Sequence, residues 1–156
     1  MTTSLKIFLP TIAVLAILSL GIAFAPAADE VNVDRTGLAL GGYDPVAYFT
    51  EGRPVRGNFQ ITVEHEGAVY RFASEANRTA FQKSQERYGP QFGGYCAYGV
   101  AKNAKFTADP TVWKIVDGKL YVNLDREIGT LFEKDIPGHI ATANKNWPAL
   151  KPKAAR

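Results

Sequence analysis

Sulfur and imidazole are scarce in this chain of 156 residues, which contains one cysteine, one methionine and two histidines. A structural zinc site usually takes four cysteine or histidine ligands, and a soft copper site takes several thiolates or thioethers. The sequence has no CxxC or HxxxH pair, and the lack of a CxxCH motif excludes covalent attachment of c-type haem. The alternative of a bound metal ion therefore requires Cys96, His65 and His139 to come together, with a carboxylate such as Asp44 as a fourth ligand.

Excess charge of one sign is also lacking. The chain has 18 lysines and arginines against 15 acidic residues, a net charge of +3, and it contains no run of basic residues. This balance excludes nucleic acid as a partner and gives no basic patch for a membrane surface. With 46% hydrophobic and 21% charged residues, the composition is typical of one ordinary globular domain.

One long apolar run is present, and it lies at the N-terminus. Lys6 precedes an apolar stretch over residues 7–24, and small residues follow up to Ala27, which is the order of a secretory signal peptide. We therefore predict a signal peptide over residues 1–27 and a periplasmic or secreted mature protein. The alternative is an uncleaved leader that anchors the protein, since the run is at the short end of what spans a bilayer. Cleavage would leave Cys96 as the only sulfur-containing residue.

Alternating apolar and polar residues predict two β-hairpins. The segment "NFQITVEHEGAVYRFAS" alternates on both sides of Glu66–Gly67. The segment "VWKIVDGKLYVNL" alternates around Asp117–Gly118, and Asp-Gly is the strongest short hairpin signal in the chain.

Each hairpin is followed by a helix pattern with a capping residue. Ser74 and Asp125 stand at the predicted N-cap positions, because their side chains can accept a hydrogen bond from the first turn. The segment "IPGHIATANKNWPAL" predicts a last helix that ends at Pro148.

The two predicted hairpin–helix units are similar in sequence. A shift of 51 residues places glycines, tyrosines and phenylalanines of the two units on each other: Gly67 on Gly118, Tyr70 on Tyr121 and Phe81 on Phe132. A Gly-Gly-Tyr segment precedes each unit, at 41–43 and 93–95. We predict an α+β fold in which two β-hairpin–helix units pack into one small domain with a C-terminal helix. The domain spans residues 41–150, after an irregular lead-in over 28–40 and before a tail at 151–156.

Four segments carry a resemblance to a known family: "GGYDPVAYF", "VYRFASEANRTAF", "ERYGPQFGGYCAYGV" and "WKIVDGKLYVNL". Over residues 41–150 the chain resembles the YHS-domain family, and more closely its small exported members. The resemblance implies metal binding in members that accompany copper-transporting ATPases, through cysteines after the Asp-Pro pair and at the end of the second strand. Ala47 and Ala73 stand at those positions here, and Tyr95-Cys96-Ala97 replaces the Tyr-His-Ser motif. Metal binding is therefore not implied for this chain by family resemblance alone.

Several interpretations of Cys96 stay open at the level of sequence. Gly93–Gly94 can turn the backbone into a helix whose free N–H groups stabilise a thiolate, with His139 as a candidate partner in a thiol-dependent enzyme. Cys96 can also be a metal ligand, form an intermolecular disulfide, or pack as a small buried residue. We favour burial beside a ligand pocket, because an exposed lone thiol oxidises readily in an exported protein.

The tyrosines of the two Gly-Gly-Tyr segments are the candidate binding residues. If the segments meet, Tyr43, Tyr48, Tyr95 and Tyr98 line a shared crevice with Cys96, suited to a small molecule or ion. We therefore predict an exported, non-enzymatic YHS-like binding module. The alternatives are a thiol-dependent enzyme centred on Cys96, a metal-binding protein, and an accessory protein that recognises a protein partner.

Overall fold

The computed structural model describes residues 30–155, so the predicted leader lies outside the described residues. The elements follow in the order α1 (Ala47–Thr50), β1 (Asn58–His65), β2 (Ala68–Phe72), α2 (Glu75–Lys83), α3 (Gln85–Tyr88), α4 (Ala97–Ala101), β3 (Asp109–Val116), β4 (Lys119–Asn123), α5 (Arg126–Glu133) and α6 (Ile136–Leu150). Short 3-10 helices precede α1 and α4. The predicted α+β fold with two hairpin–helix units and a C-terminal helix is confirmed. Within residues 30–155, none of the helices has the length and apolar character that a bilayer crossing requires.

Both hairpins turn through two residues with left-handed backbone. Glu66 and Gly67 have φ of 50° and 74°, and Asp117 and Gly118 have φ of 48° and 70°. Positive φ at both central residues matches the right-handed twist of the flanking strands, which is why Asp-Gly favours such turns. Each hairpin is a separate two-stranded sheet.

The registers of the two hairpins are related by the same shift of 51 residues that aligns the sequences. Val63 pairs with Tyr70 in the first hairpin, and Lys114 pairs with Tyr121 in the second. Both ladders are interrupted at corresponding places near the start of the first strand. Residues 38–133 thus contain two copies of one structural unit, here called the first unit (residues 38–83) and the second unit (residues 90–133).

The segment before each hairpin pairs with that hairpin in the same way. Leu38 forms a parallel bridge with Val69, and Pro90 forms one with Leu120. The N–H of Ala39 also donates to the Val69 carbonyl oxygen at 3.0 Å. The end of the predicted lead-in therefore belongs to the core, although its sequence has no strand or helix periodicity.

The units meet through apolar side chains. Leu40 and Tyr48 of the first unit form one buried cluster with Leu120 and Val122 of the second. Each unit also has a buried cluster that includes the phenylalanine in the last turn of its helix, Phe81 in α2 or Phe132 in α5. The cluster around Phe132 also includes residues of α6. The two units are therefore parts of one domain.

The prediction that the last helix ends at Pro148 is wrong. Pro148 lies inside α6, which continues to Leu150. Proline removes one backbone hydrogen bond, but Leu150 is buried in the core, and the N–H of Lys151 donates to the Trp147 carbonyl oxygen at 2.7 Å. The buried ammonium group of Lys105 also donates to the carbonyl oxygen of Lys151, at 3.2 Å. These contacts hold the last turn in place beyond the proline.

Candidate functional site

A fully buried carboxylate follows the first Gly-Gly-Tyr segment. Asp44 Oδ1 accepts hydrogen bonds from the backbone N–H groups of Val46 at 2.8 Å and Ala47 at 3.3 Å. Its Oδ2 accepts from the backbone N–H of Ala73 at 2.8 Å and from the side-chain amide of Asn77 at 2.7 Å. Asp44 thus joins the start of α1 to the junction between β2 and α2.

Cys96 occupies the corresponding position after the second Gly-Gly-Tyr segment. It is the N-cap of α4, and its Sγ accepts a hydrogen bond from the N–H of Gly99 at 3.3 Å. The thiol also donates to Oδ1 of Asn123 at 3.7 Å. Burial raises the pKa of the Cys96 thiol, and the backbone N–H groups around the sulfur only partly offset this. Cys96 is therefore a buried, neutral thiol that is already engaged within the fold.

This burial predicts a slow reaction with thiol reagents. We expect folded protein at pH 7 to react with DTNB at least about 100-fold more slowly than denatured protein, because the thiolate is rare and the sulfur is inaccessible. The absorbance of the thiolate that DTNB releases on reaction measures both rates. A variant that combines Cys96→Ser with Ser84→Cys moves the single thiol to an exposed position and should react as fast as denatured protein. Equal rates for folded and denatured wild-type protein would contradict the buried position.

Two of the four candidate tyrosines are buried and use their hydroxyl groups within the fold. The Tyr48 hydroxyl donates to the Pro110 carbonyl oxygen at 2.8 Å, which joins the first unit to the second. The Tyr95 hydroxyl donates to the Val31 carbonyl oxygen at 3.5 Å, which joins the second unit to the lead-in. Both residues therefore brace the packing of the domain.

The other two tyrosines are partly exposed and lie beside cations. The Arg56 guanidinium is 4.0 Å from the Tyr43 ring centroid, and the Lys102 ammonium is 5.0 Å from that of Tyr98. The Tyr48 ring packs against Trp113 and the Tyr95 ring against Trp147, so the four rings have different neighbours. Neither of the two cavities described below is lined by these tyrosines or by Cys96.

The histidines lie in different parts of the fold, His65 in β1 of the first unit and His139 in α6. His65 packs edge-on against Phe81, with ring centroids 5.9 Å apart. His139 Nδ1 is 3.0 Å from the Phe132 carbonyl oxygen. Residues 30–155 contain no group of three or more His, Cys, Asp or Glu side chains that could hold a metal ion, so Cys96 and the two histidines do not form one there.

The two Gly-Gly-Tyr segments do approach each other. Gly41 and Gly94 line a cavity of about 100 Å³ between the units, together with Leu40 and Val122. The Asn32 side-chain amide donates to the Gly94 carbonyl oxygen at 3.0 Å beside it. This cavity is too small for more than a few atoms.

A larger cavity of about 250 Å³ lies where both units meet α6, and we call it the interunit cavity. Its lining includes His65, Glu66, Tyr70, Phe92, Trp147 and Lys151. The Phe92 and Trp147 rings meet edge to face, with centroids 5.8 Å apart. Aromatic walls with a few polar groups are typical of small-molecule sites.

The charged groups of the interunit cavity are mostly acidic. Glu30, Glu66 and Glu86 line it, with Lys151 as the one lysine among its lining residues. The Lys151 ammonium lies 3.0 Å from a Glu30 carboxylate oxygen, and this hydrogen bond raises the pKa of Lys151. Within residues 30–155, Glu66 and Glu86 form no ion pair.

The interunit cavity is not predictable from the sequence, because its residues come from four distant segments and share no motif. Two lining residues do stand out in the sequence: His65, as a candidate metal ligand, and Gly93, as part of the second Gly-Gly-Tyr segment.

Searches of protein-family models, curated proteins and solved structures find no match to this chain.

Proposed function

We propose that this chain is an exported, YHS-type binding module that holds a small molecule in the interunit cavity and carries out no reaction there. The cavity itself carries the proposal. Its volume of about 250 Å³ is near the lower end of small-ligand sites, and it combines aromatic walls with a charged rim. It also adjoins the second Gly-Gly-Tyr segment through Gly93.

The ionisable groups of the cavity favour binding over catalysis. A catalytic site usually contains a group whose pKa is shifted toward the working pH. Here Glu30 raises the pKa of Lys151, and burial raises the pKa of Tyr70. Both shifts move the pKa away from neutrality and keep the groups protonated, so neither supplies a base or nucleophile. The only thiol within residues 30–155 lies elsewhere and is buried.

The surroundings of Asp44 support the YHS resemblance. Ala47 and Ala73, at the positions where metal-handling relatives carry cysteines, both donate a backbone N–H to the Asp44 carboxylate. The two positions therefore adjoin one point in the fold, as a shared site in such relatives requires. In this chain they bring no thiolate, and the carboxylate already accepts four hydrogen bonds. We therefore place the binding function in the interunit cavity.

Export is supported by the leader sequence and by the state of the thiol. The order of cation, apolar run and small residues over 1–27 is that of a signal peptide. A single buried cysteine also suits an oxidising compartment, where exposed thiols form disulfides.

Tryptophan fluorescence tests the proposed site. Trp147 lines the interunit cavity, and Trp113 lies in another part of the fold. In full-length protein carrying Trp113→Phe, we expect Trp147 emission to change when some members of a library of small aromatic and aliphatic compounds bind. The matched variant Trp147→Phe keeps only Trp113 and should not respond to the same compounds. If no compound at millimolar concentration changes Trp147 emission, the proposed function is wrong.

A further inference from the structure

The charge around the interunit cavity is opposite in sign to the charge of the chain. Its lining contains three glutamates and one lysine, a local excess of two negative charges, whereas the whole chain carries a net charge of +3. Lys151 is paired with Glu30, so the excess belongs to Glu66 and Glu86. This local sign is a property of the cavity and not of the protein surface in general.

The two uncompensated carboxylates come from different elements. Glu66 is in the turn between β1 and β2, where its positive φ of 50° sets the direction of the hairpin tip. Glu86 is in the first turn of α3. The Glu66 charge acts on groups across the cavity, since it contributes to the raised pKa of both Tyr70 and Lys151. A ligand in the cavity would therefore experience negative charge from more than one side.

The lack of a metal-ligating group of three side chains within residues 30–155 argues against a bare metal ion as the partner of Glu66 and Glu86. A hard cation needs several oxygen ligands within about 2.6 Å of one point, and residues 30–155 contain no acidic group of three that could provide them. An organic cation is larger and can interact with carboxylates that are farther apart. The rings of Tyr70, Phe92 and Trp147 line the same cavity, and aromatic faces attract organic cations.

We infer that the interunit cavity selects a small organic cation, with its ammonium group toward Glu66 and Glu86 and its apolar body against Phe92 and Trp147. This inference rests on the proposed function and adds the chemical class of the ligand. A primary amine or alkylammonium compound with one short apolar group would match both the carboxylates and the aromatic wall of the cavity.

Three probes of similar size and different charge test this selectivity: 2-phenylethylammonium, 2-phenylethanol and 3-phenylpropanoate. Each is titrated into full-length protein with Trp147 as the only tryptophan, at low ionic strength. We expect the cation to bind about fivefold to tenfold more tightly than the alcohol, as two exposed carboxylates allow, and the carboxylate probe to bind most weakly. Raising the salt to 1 M should reduce the preference for the cation.

The double variant Glu66→Gln, Glu86→Gln should lose this preference and bind the alcohol as wild-type protein does. The matched double variant Glu75→Gln, Glu127→Gln makes the same change in net charge at exposed glutamates outside the cavity lining, and it should keep the preference. Equal binding of the alcohol and the cation would overturn the inference and leave the proposed function intact. If none of the three probes affects Trp147, the inference is also wrong, and the compound library then decides the proposed function separately.

Discussion

Replacing Asp44 with alanine is expected to lower the free energy of unfolding by about 3–4 kcal/mol. The carboxylate is fully buried and accepts four hydrogen bonds, three from backbone N–H groups and one from the Asn77 side chain. Alanine would leave these donors without partners in a site with little access to water, and an unsatisfied buried donor costs about 1–3 kcal/mol. Chemical denaturation followed by circular dichroism measures the change.

Two variants show whether the loss comes from the buried carboxylate. Asp125→Ala removes an exposed N-cap that accepts one bond, from Ile128 at 2.8 Å, and should cost about 1 kcal/mol. Asp44→Asn keeps the shape of the side chain, but its N–H₂ group would replace one carboxylate oxygen and face N–H donors. It should therefore lower the free energy of unfolding nearly as much as alanine does. A loss at Asp44→Ala no larger than that at Asp125→Ala would show that the four bonds contribute little.

Asp44 and Cys96 occupy equivalent positions in the two units, and both act as hydrogen-bond acceptors there. The offset of 52 residues that relates the Gly-Gly-Tyr segments also places Cys96 on Asp44. Both side chains accept backbone N–H groups at the start of the following short helix. The sequence could predict that Cys96 begins a helix, but not that sulfur replaces a carboxylate as acceptor, because that equivalence depends on the folded backbone. This is why the nucleophile and metal-ligand interpretations stayed open from the sequence.

Local signals predicted the repeated elements because those elements depend on local chemistry. The Glu66–Gly67 and Asp117–Gly118 turns need left-handed backbone, and Ser74 and Asp125 accept the N–H groups that a helix start leaves free. Pro148 does not end the last helix as predicted, because the burial of Leu150 in the core overrides the local effect of the proline. The interunit cavity was not predictable, since it depends on how α6 and the segment around Glu30 pack against both units.

Gly93→Ala is expected to cost about 3–4 kcal/mol, since strain at its φ of 60° adds about 1 kcal/mol to an overpacking cost of up to about 3 kcal/mol. A Cβ at this position would overlap the Glu30 carbonyl oxygen and press on the Val31 backbone. Both obstacles are main-chain atoms, so a change of side-chain rotamer cannot relieve them. The segment is also fixed there, because the N–H of Asn32 donates to the Gly93 carbonyl oxygen at 2.8 Å.

The first unit provides the matched control for this substitution. Gly41 precedes its tyrosine as Gly93 does, and its φ of 55° is similar, but a Cβ there would meet only the Pro110 side chain, at an ordinary 3.7 Å. Gly41→Ala should therefore show only the backbone strain, about 1 kcal/mol, in the same denaturation measurement. Gly93→Ala should in addition weaken binding of any ligand of the interunit cavity, because relief of the overlap displaces Glu30 and its partner Lys151 from the cavity rim. Equal losses of unfolding free energy in the two variants would mean that the backbone around Glu30 moves aside at little cost and does not hold the cavity in shape.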